Sequence, residues 1–420
     1  MTDTTDNRPV LLVVGSGDQR YREYIVKSAA ERYRLWLLDA DPPAWHDQYV
    51  IGTTAVDPMV IEDGVAAARE IAAQQQIDGV FCYDEGLIWP SSHIAAALGV
   101  IGNDPEVVRS CRDKHATREV LDKAGVAQAR SAAVSSPEEA AAAAESIGYP
   151  VVLKPRGLAG SKGVLRVDDP ADLADAYTAA RAASYPGVPV YDAGVLVEEY
   201  LDGPEISIDA VFHEGECLPM VLARKQVGFD PFFEEVGHVI LPDDPLMSDP
   251  DIVNLLEESH RALGWTVGVT HTEMRLTSRG PRLIEVNARL GGDLIPWLGW
   301  LARGVDCAAA HADACMGRRP DVTPTRSKVA AIRFLYPPED CEVVSIDHHP
   351  ERGGPTIVHS IVMGRPGAVL RLPPRGYLAR YGCVIAVADT EEECRAALAE
   401  AEQVVELHAV PVEATSQVAS

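Results

Sequence analysis

The sequence predicts a multidomain α/β protein in which an open parallel sheet is followed, later in the chain, by a hairpin with one polar face. Three observations support this. The 420 residues exceed what one hydrophobic core accommodates and suggest two to four domains. Residues 10–39 read as strand, helix, strand, the opening of a parallel sheet. His271 to Leu290 reads as two extended runs around a turn, with charged side chains along one face.

The run Val10 to Gly15 ends in Gly15-Ser16-Gly17 and is followed by a helical stretch, Tyr21–Tyr33, and a strand, Arg34–Asp39, giving a Rossmann-like character. The dinucleotide fingerprint lacks its third glycine, because Arg20 stands there. Gly15-Ser16-Gly17 therefore reads as a turn that needs a permissive backbone, or else as a contact to a small substrate. A helix over Ile61–Gln75 and a strand over Gly79–Tyr83 lead to Asp84-Glu85-Gly86. Ligands collect at the carboxyl ends of strands in open sheets, so Glu85 is a candidate for the amine of a substrate, with capping of the next helix as the alternative.

Past Asn103, Pro105–Cys111 and Asp113–Ala124 read as short helices, the second stopped by Gly125. Lys114 lies in a first turn, where a cation opposes the helix dipole, so an anion from elsewhere is expected beside it. A strand Ala129–Val134, a helix from Ser136-Pro137 to Gly148 and a strand Val151–Pro155 with Lys154 follow. The loop Arg156–Gly163 joins two strands and does not open a helix as a Walker A loop does. Its glycines would let N–H groups close over phosphates, unless it is a plain hairpin turn. Helix Pro170–Ala183 precedes the strand Val195–Leu201, then Asp202-Gly203-Pro204-Glu205 and the strand Ile206–Phe212. Adjacent Glu198 and Glu199 cannot share one buried face, which leaves one solvated and one free to meet a ligand.

In the hairpin, Leu283, Glu285, Asn287 and Arg289 are expected on one face, and Ile284, Val286 and Ala288 on the other. With residues 277–281 as the loop, Glu273 falls across from Glu285, roughly 5 Å away at Cβ, where like charges are destabilising. Two carboxylates and an amide form an all-oxygen set that suits Mg²⁺ held together with substrate phosphates. A solvated hairpin face is the alternative.

Composition narrows the function classes. Hydrophobic residues make up 47% and charged residues 24%, ordinary for a globular protein. No apolar run of about 18 residues and no signal peptide at MTDTTDNRPV are seen, so a cytoplasmic location is expected. A net charge of −26 argues against nucleic acid and anionic membrane as partners. Eight cysteines without a C-x-x-C pair read as reduced packing residues, and adjacent His348 and His349 point apart.

Together, Lys114, Lys154 in VVLKP, the loop Gly157–Gly163, VEEYLDGPE, and Glu273 with Glu285-x-Asn287 resemble, in order and spacing, the ATP-grasp superfamily over roughly residues 10–325. Within it, HTEMR and LIEVNARLGG are similar to the dipeptide-forming L-amino acid ligases. The last ninety residues, with Leu370–Gly376, are similar to their C-terminal extension. The resemblance implies an ATP-grasp fold with a Rossmann-like N-terminal domain (1–104), linker helices and a mobile lid (105–200), a catalytic antiparallel sheet (201–325) and a β-rich C-terminal extension (326–420).

It also implies roles. Lys114 and Lys154 would hold the α- and β-phosphates of ATP, and Gly160, Ser161 and Gly163 would cap them. Glu198 would accept from the adenine amine, while Glu199, Tyr200 and Leu201 would offer main-chain bonds to the ring. Glu199 stands where several relatives have a lysine, so only its main chain is expected to contribute. Glu205 would bind the ribose. Glu273, Glu285 and Asn287 would hold two Mg²⁺, with Mn²⁺ a possible substitute, and Arg289 would reach the transferred phosphate and the oxyanion. Gly291 and Gly292 would bind a substrate carboxylate with Asp293 beside them. Lys225–His238 would be a loop bordering the acceptor pocket, His238 touching substrate and Phe229, Phe232 and Phe233 shaping the pocket or packing as core.

The implied reaction is ATP-dependent carboxylate–amine ligation through an acyl phosphate, on small-molecule substrates. Carboxylase or purine-pathway chemistry, or a non-catalytic nucleotide-binding protein, are the alternatives. In the extension, strands over Val329–Leu335, Gly354–Val362 and Gly382–Asp389 and a helix over Glu391–Leu407 are expected. This region would pack against the catalytic sheet, with a possible role in homodimerisation, and would end in a disordered tail after Val410.

Overall fold

The computed structural model describes residues 6–42, 44–158, 160–183 and 194–412; most of the expected tail, residues 413–420, lies outside them. The N-terminal sheet is parallel, in the order Val50–Ala55, Arg34–Asp39, Val10–Val14, Gly79–Phe81. Helices Gln19–Arg32, Ile61–Gln74 and Ile88–Leu98 follow its strands. Gly15 and Gly17 both have positive φ, and a Cβ on Gly15 would lie 2.3 Å from Leu87 Cδ1. The turn reading of Gly15-Ser16-Gly17 thus has a steric cause.

Pro105–Arg112 and Lys114–Lys123 form two helices, the second capped by Asp113, whose carboxylate accepts from the N–H groups of His115 and Ala116. They lead to a four-stranded antiparallel sheet in the order Ser131–Val134, Val195–Glu199, Val151–Pro155, Leu165–Val167. Helices Pro137–Ile147 and Leu173–Ala182 cover its apolar face with Ala140, Ala144, Leu173 and Tyr177.

The largest element is an eight-stranded sheet, in the order Gly280–Asn287, Gly268–Thr277, Glu205–His213, Glu216–Gly228, Glu234–Ile240, Val329–Leu335, Gly382–Ala388, Ile357–Val362. One face packs with helices Gln19–Arg32, Ile295–Arg303 and Cys307–Cys315 through residues such as Val26, Leu298, Ala308 and Val221. Helix Pro250–Leu263 covers the other through Leu255 and Leu256 against Ile208, Met274 and Val286. The sheet crosses the division expected at 325/326, because Gly237–Ile240 pairs directly with Ala330–Arg333.

Three expectations need correction. Lys225–His238 is a strand pair closed around Phe229–Phe233, with Lys225 opposite His238; its charged and glycine residues mask the strand periodicity. The closing helix stops at Ala399, and Val405–Pro411 is a strand pairing with Cys341–His348, since β-branched and apolar residues there suit a ladder. In the Glu273 hairpin, pairing runs to Thr277↔Gly280, so the loop is two residues shorter at one end and one at the other, and Pro281 joins an edge strand. A bulge at Ile284 restores Glu273↔Glu285 and reverses two side chains. Leu283 enters the core beside Val286, while Ile284 joins Glu285 and Asn287 on the polar side.

Candidate active site

The sheet of residues 131–199 faces the large sheet across an open cavity lined from both sides. Lys114, Lys154, Gly160, Ser161, the stretch Glu198–Leu201, Glu205, Glu273, Glu285, Asn287 and Arg289 line it together. Gly163, Glu85, His238, Gly291, Gly292 and Asp293 lie outside its walls. Gly160, Ser161 and Gly163 have φ of 69°, 54° and 72°, a left-handed run favouring glycine. Phe233 lines the cavity near Tyr200, whereas Phe229 packs on Tyr336 and the Phe232 N–H closes the turn onto the Phe229 carbonyl.

Lys114, Arg118, Lys154, Arg275 and Arg289 in these walls each meet a carboxylate. Lys114 Nζ lies 2.8 Å from Glu285 Oε1, the anion that its place at a helix start called for. Lys154 Nζ lies 2.6 Å from Glu198 Oε2, and Arg118 grips the same carboxylate at 2.8 and 3.1 Å. Burial would raise Glu198, but Arg118 and Lys154 hold it down at about 2. Burial pushes the Lys154 ammonium below its ordinary value despite Glu198. Glu198 is therefore already engaged by two cations where a lone adenine contact was expected. The N–H groups of Glu199 and Tyr200 donate to the carbonyls of Arg130 and Pro150, which removes them from the expected main-chain contacts.

Lys225 is the principal residue that the sequence reading missed. Its side chain is 2% exposed, and Nζ lies 3.0, 2.6 and 2.9 Å from the carboxylates of Glu205, Glu235 and Glu273. Burial works against its charge, yet the three carboxylates keep it well above the usual lysine range. Arg275 holds the other side of Glu205. His271 joins Glu273 at 3.3 Å and Asp209 at 2.6 Å. Burial disfavours the imidazolium, but the two carboxylates outweigh it and raise His271 to about 9.

The carboxylates of Glu273 and Glu285, paired across the hairpin, thus have separate counter-cations, and Asn287 stands beside them. Asn287 Nδ2 donates to the His271 carbonyl at 3.5 Å, leaving Oδ1 as the atom for ligation. This all-oxygen donor set fits a hard divalent cation.

Several acceptor-side expectations are altered. Glu85 binds Arg289 and Arg112 with its two oxygens, so it orients Arg289 instead of waiting for an amine. Burial would raise its pKa, but the two guanidinium groups bring it to about 2. The Gly291 N–H donates to Asp209 at 3.0 Å and is not open to a substrate carboxylate. Gly292 has open space around it. Asp293 is held bidentately by Arg380 at 2.6 and 2.9 Å, so it is not a free carboxylate. His238 Nε2 lies between Glu235, at 3.2 Å, and Asp293, at 3.4 Å. Arg118 could have been found from its i+4 spacing to Lys114 on one helix face. Lys225 and Arg380 carry no local signal.

Comparison with known proteins fits this geometry. The ATP-grasp domain profile matches residues 147–296, and a second ATP-grasp domain profile matches residues 106–158. The chain carries an ATP-grasp domain. The profile of the L-amino acid ligase C-terminal domain 2 matches residues 333–410, and the chain resembles that branch of the ATP-grasp ligases. An uncharacterised Sinorhizobium fredii protein is 29% identical, covering 91% of this chain and 79% of its own. Alanine–anticapsin ligase of Bacillus subtilis is 29% identical over 62% of this chain; the match spans 59% of that enzyme's length. The crystal structure of L-amino acid ligase from Bacillus licheniformis superposes with a TM-score of 0.79 at 21% identity, covering 96% of this chain and 99% of that one. The fold is therefore the ATP-grasp fold, its C-terminal strands included. No helix among the described residues is long and apolar enough to cross a membrane.

Proposed function

We propose that this ATP-grasp protein is an ADP-forming carboxylate–amine ligase that joins an amino acid to a second amino acid or small carboxylic acid. The observation that carries the reading is the Glu273–Glu285 pair with Asn287, each carboxylate backed by its own lysine, in one cavity with Lys114 and Lys154. Divalent cations, two by analogy with the superfamily, would be held by these three side chains and would offset charge on the phosphates of ATP.

The chain's own residues do the rest. Lys114 and Lys154 supply positive charge to the polyphosphate, exchanging carboxylate partners for phosphate oxygens. The left-handed loop at Gly160–Gly163 offers main-chain N–H groups above it. Glu205 and the Leu201 main chain face the nucleoside. Arg289, oriented by Glu85, stabilises charge developing as a substrate carboxylate is phosphorylated and the resulting acyl phosphate is attacked by an amine. The neutral amine bonds to the acyl carbon, phosphate leaves with the electron pair of its bond to that carbon, and the proton lost from the nitrogen passes to the departing phosphate. Glu235 lines the cavity, and His238 and Asp293 stand behind it, their ligand atoms within 4.8 Å of one another; we assign this cluster to the amino acid substrate.

The direct test incubates the protein with Mg²⁺, ATP and panels of amino acid pairs, measuring ADP, phosphate and new amides by mass spectrometry. Amide formation matched one to one with ADP is expected. Silence over broad panels overturns the reading, and ADP release that depends on bicarbonate would replace it with a carboxylase.

A further inference from the structure

The C-terminal region sends one side chain into the cluster behind the cavity. Arg380 is 9% exposed. Its Nη1 donates to Asp293 Oδ1 at 2.6 Å and its Nη2 to Oδ2 at 2.9 Å. Nη2 also donates to the Glu235 carbonyl at 2.9 Å, and Nε donates to the Tyr336 hydroxyl at 2.9 Å. The Phe334 ring covers the guanidinium, its centroid 3.7 Å from Cζ. Most of the guanidinium donors are engaged, so Arg380 acts on neighbouring groups and not on a ligand.

What it holds needs holding. Asp293 and Leu294 have φ of 52° and 62°, two consecutive non-glycine residues in the left-handed region, a conformation kept only where the surroundings over-determine it. The carboxylates of Asp293 and Glu235 converge on His238 and repel each other unless cations stand behind them. Arg380 stands behind Asp293, and Lys225 behind Glu235. His238 Nε2 stands between the two carboxylates, so their charge is shared among His238, Arg380 and Lys225, and Glu235 alone of the three lines the cavity.

We propose that Arg380 is a positioning residue of the substrate pocket: it fixes Asp293 and the Glu235 main chain, and through the His238 bridge it sets the Glu235 side chain that faces the cavity and meets an amino acid substrate. This rests on the ligase reading and deepens it by making the C-terminal region a determinant of substrate binding.

The test uses full-length protein and the amino acid pair that turns over fastest in the panels above. R380M is expected to raise KM for one of the two amino acids at least about tenfold, leaving KM for the other and for ATP within about twofold. R380K keeps the charge but loses the fork and should fall between wild type and R380M. D293N should raise the same KM as R380M. Melting curves accompany each variant; if R380M does not fold, R380K and D293N carry the test. Unchanged constants, or three KM values that move together, overturn the proposal while leaving the ligase reading in place. A wild-type protein that turns over no pair removes that reading, and this proposal with it.

Discussion

Lys225 concentrates the electrostatics of the site in one atom, a buried ammonium shared by the carboxylates of Glu205, Glu235 and Glu273. Removing one partner of a buried ionic group costs more than the group contributes when intact. K225M should therefore lower stability by about 3–5 kcal/mol in denaturant titration, along with loss of turnover. On the proposed ligase reading E285Q removes a cation ligand but keeps the shape of the side chain, so it should lower kcat/KM by about 100-fold or more with a largely preserved melting profile. Acid should also act here. Glu85 and Glu198 are depressed from 4.5 to about 2 in the folded protein, so their stabilisation is complete above pH 4.5 and is lost as pH falls towards 2. An acid titration of E198Q followed by circular dichroism should show a weaker dependence across that window than wild type. At this scale the sequence is partly readable. The anion required beside Lys114 follows from its place at a helix start, whereas nothing local links Asp293 to Arg380.

Elements were more legible than the contacts between them. The runs at Val10–Val14, Arg34–Asp39 and Val151–Pro155 announce themselves by continuous apolar residues. The strands around Lys225 and His238 do not, because buried ionic side chains occupy positions where alternation would show apolar ones. The hairpin bearing Glu273 gave the right pairing through a looser loop than the real one, since the bulge at Ile284 compensates for the tighter turn. After that hairpin the chain turns at Gly291, where a Cβ would come within 2.8 Å of His271 Nδ1 and 3.0 Å of both Asp209 oxygens. G291A should accordingly lower stability by about 1–3 kcal/mol and disturb the His271–Asp209 pair, measurable by melting and by the imidazole NMR titration of His271.

At the level of the molecule, the eight-stranded sheet makes the part of the chain after residue 325 inseparable from the site. Ala330, Ile332, Phe334, Cys383 and Ile385 belong to the same apolar cluster as Leu298 and Val221. Truncation after residue 325 would expose that cluster and an unpaired edge along Glu234–Ile240. A 1–325 fragment should aggregate or lose its cooperative melting transition, as read by size-exclusion chromatography and calorimetry. The full chain should show a single main transition.

The uninterrupted ladder from Gly280–Asn287 to Ile357–Val362 also constrains how such ligases could be recombined. A chimera spliced near residue 325 would pair one parent's Asp293 with another parent's counterpart of Arg380, and on the proposed role of that pair would inherit a mismatched substrate pocket. Exchanging preference for an amino acid should require the Glu234–Ile240 strand, the Asp293 turn and the Arg380 segment to travel as one cassette, although they are far apart in the gene.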